Sequence, residues 1–70
     1  MRTAQDVANH MARIGRVGHW GGHPALEGVG MGSTPERARR SCCYFGRIKI
    51  EDEGVARGSN GMYYACIRGR

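Results

Sequence analysis

"GVGMGSTPERARR", Gly28 to Arg40, changes periodicity in its middle. Glycine recurs at 28, 30 and 32, every second residue, which is the spacing of one face of a strand. Thr34 and Pro35 then give a helix start. A threonine at the N-cap offers its side-chain oxygen to orphan backbone N–H groups, and a proline in the first turn loses nothing by lacking a donor. A strand face made of glycine is where a backbone, a helix or an aromatic ring comes close. The stretch therefore predicts a strand that runs into a capped helix and is approached closely on its bare side. That helix is expected from Pro35 to Phe45, with Gly46 as its stop. Ala38, Ser41, Cys42 and Phe45 fall on one arc of its wheel, and Arg37, Arg40 and Tyr44 on another, with Arg39 and Cys43 on the flank between.

Upstream, Thr3 followed by Asp6 forms an acidic version of the capping box, and Ala4, Val7, Ala8, Met11 and Ile14 recur at helical spacing. This predicts an amphipathic helix over residues 3–15, stopped by Gly15. Glycines and Pro24 exclude a helix between Arg16 and Gly32. Arg16 to Trp20 is expected as a short strand, Gly21 to Pro24 as a turn and Ala25 to Met31 as a second strand, which together make a hairpin. In that second strand Ala25, Glu27, Val29 and Met31 are expected to point one way, and Gly28 and Gly30 the other beside Leu26.

Downstream, Ile48 and Ile50 alternate with Arg47, Lys49 and Glu51, the pattern of a half-buried strand. The acidic run Glu51, Asp52 and Glu53 before Gly54 is expected to be a solvated turn, and Val55 to Arg57 a possible short strand. "GSNG" at Gly58 to Gly61 is a turn signal, and Met62 to Arg68 is rich in strand formers. The expected fold is one α+β domain over residues 1–70. Its order is helix, β-hairpin, helix, then a second β-hairpin or meander, with a four- to five-stranded antiparallel sheet and two helices.

A chain of 70 residues hides only about 60% of the surface its unfolded form exposes, so its core is thin and a homodimer is an expected way to cover more. Eleven Lys and Arg against six Asp and Glu give a formal net charge of +5, and ten of the eleven cations are Arg. The excess favours an anionic partner, and the guanidinium fork suits phosphate or carboxylate. No stretch is apolar for long enough to span a membrane, and no signal-peptide pattern opens the chain, so a cytoplasmic location is expected.

The glycines invite comparison with phosphate loops. A Walker loop needs a lysine after its last glycine, and Ser33 follows Gly32 instead. The dinucleotide fingerprint fails on the spacing of its third glycine. In Gly30, Gly32, Thr34, Ala38 and Arg39 the stretch resembles the strand-to-helix junction of the double-stranded RNA-binding domain. It departs from that family at the lysine pair, where Pro35 and Glu36 stand, and in continuing for about 24 residues past Gly46. The resemblance covers about ten residues and implies a similar junction.

Cys42, Cys43 and Cys66, with His10, His19 and His23, have zinc-binding chemistry but not zinc-knuckle spacing. Three cysteines also do not make a disulfide framework. No metal, cofactor or catalytic centre is therefore expected. In length, basic charge and alternation of helices and hairpins the chain resembles small accessory proteins of phages, including anti-CRISPR proteins. That resemblance implies a non-enzymatic inhibitor that binds a host protein or nucleoprotein complex in the host cytoplasm. The residues expected to meet such a partner, or nucleic acid directly, are Arg37, Arg39, Arg40, Tyr44, Arg47 and Lys49. A direct nucleic-acid-binding module and a small homodimeric scaffold are the alternatives.

Overall fold

The computed structural model describes residues 2–20 and 26–70. Within them the order is α1 (Ala4–Ile14), β1 (Leu26–Gly32), α2 (Pro35–Arg40), β2 (Ile50–Arg57) and β3 (Tyr63–Gly69). The three strands form one antiparallel sheet with β3 in the centre, in the order β1-β3-β2. Among the described residues the chain is thus α+β with two helices and a three-stranded sheet, where four or five strands were expected.

The cause of β3's central place is visible in its alternation. Tyr64 and Cys66 point to one face, where they pack with Ala4, Val7, Met11 and Ala12 of α1. Ala65 and Ile67 point to the other, where they meet Ala38 of α2 and Cys42 just beyond it. Each helix covers one side of the sheet, so β3 is buried on both faces over most of its length. A strand hidden on both sides reads as a nearly continuous apolar run, and "YYACI" does.

The capping box of α1 forms as its sequence indicates. Thr3 Oγ1 accepts from the Asp6 N–H at 3.1 Å, and the Asp6 carboxylate accepts from the Thr3 N–H at 3.1 Å. Gly15 takes the left-handed conformation (φ 70°) that ends the helix. From there residues 16–20 run without strand pairing, which corrects the first half of the expected hairpin. Only Trp20 of this segment joins the first-face core, while Val17 stays exposed. Trp20 packs against the α1 core and stands edge-on to His10, with ring centroids 4.9 Å apart. The expected turn at Gly21 to Pro24, the start of the second strand at Ala25, and His23 lie outside the described residues.

The glycine face of β1 is the bed for α2. A Cβ at Gly32 would stand 2.7 Å from the Ala38 nitrogen, and one at Gly28 or Gly30 would collide with the backbone of Cys43 or the Ser41 side chain. α2 itself is shorter than expected and ends at Arg40, not Phe45. The Ser41 hydroxyl reaches the carbonyls of Met31 (3.0 Å) and Ala38 (2.9 Å), and the chain continues as turns through residues 41–47. Cys42 and Phe45 still reach the second core, so the buried arc is kept although the helix is not.

The acidic run, expected as a turn, is the first half of β2, and Val55 to Arg57 is its second half. Register explains why one strand was read as two. Ile50 pairs with Gly69 and Asp52 with Arg68, so Glu51 is an extra residue in the ladder. The bulge reverses parity: Ile48 and Ile50 join Val55 on the second face, while Gly54 and Ala56 lie under α1. On the outer edge of β2, the Gln5 amide lies against Val55 like a strand partner. Its Nε2 donates to the Val55 carbonyl at 2.8 Å, and its Oε1 accepts from the Val55 N–H at 3.3 Å.

Candidate anion-binding surface

The segment from Ser33 to Lys49 forms the outer layer of the second face. It contains Arg37, Arg39, Arg40, Arg47 and Lys49 against a single carboxylate of its own, Glu36. Thr34 places the layer by accepting from the Arg37 N–H at 3.1 Å, and Ala38 anchors it in the core.

The five cations are not equivalent. Arg39 turns inward across the sheet, where its Nε donates to Glu53 Oε1 at 2.6 Å, Nη1 lies 3.5 Å from Glu36, and its guanidinium sits 5.2 Å from the Phe45 ring centroid. The hydrogen bond to Glu53, with that residue's charge, pushes the Arg39 pKa further above its ordinary value. This residue holds the layer to β2. Arg40 lies 3.6 Å from Glu36 but its side chain is 70% exposed. Arg37 donates to Ser33 Oγ at 3.2 Å and has no carboxylate partner among the described residues, nor have Arg47 and Lys49. Tyr44 is held at φ 67°, an uncommon conformation for a side chain of its size, and is exposed. The expected residues thus share one segment of the chain, exposed except at Arg39, which has a different task from the rest.

The opposite face carries an ionic row, buried at Glu27 and Arg68 and exposed at His19 and Asp52, that was not legible in the sequence. Glu27 of β1 and Arg68 of β3 are register partners, and Arg68 is 2% exposed. Arg68 Nε donates to Glu27 Oε2 at 2.9 Å and Nη1 donates to the Arg2 carbonyl at 3.0 Å. The second Glu27 oxygen meets His19 Nδ1 at 3.1 Å. Asp52, on the other side of Arg68 in register, accepts from the Ala4 N–H at 2.8 Å and so fixes the start of α1 to β2. The only sequence signal for such a row is an Arg in an otherwise apolar strand, since a buried guanidinium requires a carboxylate partner.

Cys42 and Cys66 are buried on opposite faces of the sheet, and Cys43 is exposed. Burial pushes the Cys42 thiol up to about 11 and the Cys66 thiol to about 12, so both are neutral and poor nucleophiles at neutral pH. Among the described residues no three His, Cys, Asp or Glu side chains gather in a way that could hold a metal ion, and no helix is long and apolar enough to cross a membrane. In comparisons with known proteins, no family model, curated protein or solved structure matches the chain.

Proposed function

We propose that the protein is a non-enzymatic binding protein whose arginine layer docks on an anionic face of a host protein or nucleoprotein complex, as the phage inhibitors it resembles do. One observation carries the reading. Arg37, Arg47 and Lys49 have no carboxylate partner among the described residues, and Arg40 is mostly exposed and shares Glu36 with Arg39, which also takes Glu53. Exposed cations held only by a hydroxyl, as Arg37 is by Ser33, or by a solvent-screened carboxylate, as Arg40 is by Glu36, meet carboxylates or phosphates at little internal cost. Tyr44, exposed in the same segment, adds a rigid ring with a hydroxyl, a residue type common at interface centres.

The test is the double variant Arg37→Gln/Arg40→Gln. Neither side chain is in the core, but because α2 ends at Arg40 both charges lie in its last turn, where they suit the helix dipole, so losing them and the Arg40–Glu36 contact is expected to cost folding stability only about 0.3–1 kcal/mol. In pull-downs from host lysate the wild type is expected to retain an acidic protein or nucleoprotein complex, and the variant to lose it by about 1–3 kcal/mol in affinity, less as salt rises. Binding of free DNA or RNA with a steep salt slope would move the reading to a direct nucleic-acid module. Equal retention by wild type and variant sinks it.

A further inference from the structure

On the side away from the arginine layer, α1 overhangs the end of β2 and the turn that follows. A cleft of about 370 Å³ opens there, lined by Asn9, Ala12, Arg13, Ala56, Arg57 and Ser59. Its volume is at the lower end of the range of small-ligand sites, roughly 300–1,000 Å³. Its polar lining has one chemical character. Arg13 and Arg57 bring two guanidinium groups from different elements, and neither has a carboxylate partner among the described residues. Asn9 is oriented by Gln5, whose Nε2 donates to Asn9 Oδ1 at 2.9 Å. With its oxygen occupied, Asn9 offers its Nδ2 hydrogens. Ser59 adds a hydroxyl, and no acid lines the walls. The floor is Ala12 and Ala56, small residues that leave the space open.

We propose that this cleft binds a phosphoryl group carried as a phosphate monoester. Two cations match the dianionic charge of a monoester, and guanidinium forks pair with phosphate oxygens two at a time. Asn9 and Ser59 supply donors for the remaining oxygens. The space exceeds what one phosphate fills and leaves room for part of the group attached to it. The site is distinct from the arginine layer and shares no residue with it.

The experiment is a titration of the 15N-labelled full chain with inorganic phosphate, with a 5′-mononucleotide, and with a short oligonucleotide with or without a 5′-phosphate, all at constant ionic strength. Saturable shifts are expected at the Arg13 and Arg57 Nε–H, the Asn9 side-chain amide and Ser59. The arm that binds tightest identifies the source of the phosphate. Arg13→Gln and Arg57→Gln are each expected to weaken binding about tenfold or more, Arg57→Lys by less, and Arg37→Gln/Arg40→Gln not at all. Thermal melts of each variant check that the fold survives. Shifts that never saturate, shifts spread over all exposed arginines, or Gln variants that are folded and bind like wild type overturn the proposal.

Discussion

Cys42 and Cys66 differ from Cys43 in what surrounds their sulfur. Cys42 Sγ lies 3.5 Å from the carbonyls of Ala38 and Ala65, and Cys66 lies under α1, with Glu27 adding to the cost of a thiolate there. In the unfolded chain both thiols return to about 8.5. A group whose folded pKa is raised contributes stability fully below its unfolded value and loses it as pH climbs toward the folded one. Stability in reducing buffer is therefore expected to hold at pH 7–8 and to fall above about pH 8.5. The slope between pH 8.5 and 9.5 should be nearly absent in Cys42→Ala/Cys66→Ala. A thiol reagent under native conditions is expected to modify Cys43 at once and the other two only after denaturant is added. Three thiols reacting at one rate, or an unchanged alkaline slope in the double variant, refutes this account.

At the scale of elements, the glycines of β1 set how close α2 and the turns that follow it can lie. Gly30→Ala puts a methyl group into Ser41 and the Cys42 backbone and is expected to cost about 1–3 kcal/mol, the range of an overpacked core, or to expel α2. Gly46→Ala, at φ 81° with open space around it, carries only the backbone penalty of about 1 kcal/mol. Urea melts of the two variants check the ranking, and equal losses would contradict the close approach. This contact was legible in the sequence because alternate glycines have a local meaning, as do Thr3, Thr34 and Pro35 at the helix starts. Arg16 to Trp20 was misread because a strand needs a partner, and no local signal shows that His19 and Trp20 are drawn instead to Glu27 and His10. Glu51 to Glu53 looked like a turn because charge suggests solvent. Each acid has a distant partner: Arg70 for Glu51, the Ala4 N–H for Asp52 and Arg39 for Glu53. The cationic layer was readable as a set, but the division between Arg39 and the others depends on Glu53, fourteen residues away.

At the scale of the whole molecule, the two borders of the sheet are unlike. Gln5 occupies the peptide group of Val55 on the β2 side, whereas on the β1 side no described strand pairs with the outer edge. Removing the amide in Gln5→Ala is expected to raise the apparent mass in light scattering at high concentration, because the freed peptide group becomes available for pairing with another chain. An unchanged mass would show that the acidic residues of β2 suffice to keep other chains away. Two copies meeting through their β1 edges would form a single continuous sheet bordered on both sides by β2, each with its Val55 peptide group already occupied by Gln5. Such an assembly has two-fold point symmetry and uses up both β1 edges, so pairing of that kind stops at two copies and does not propagate into a fibre.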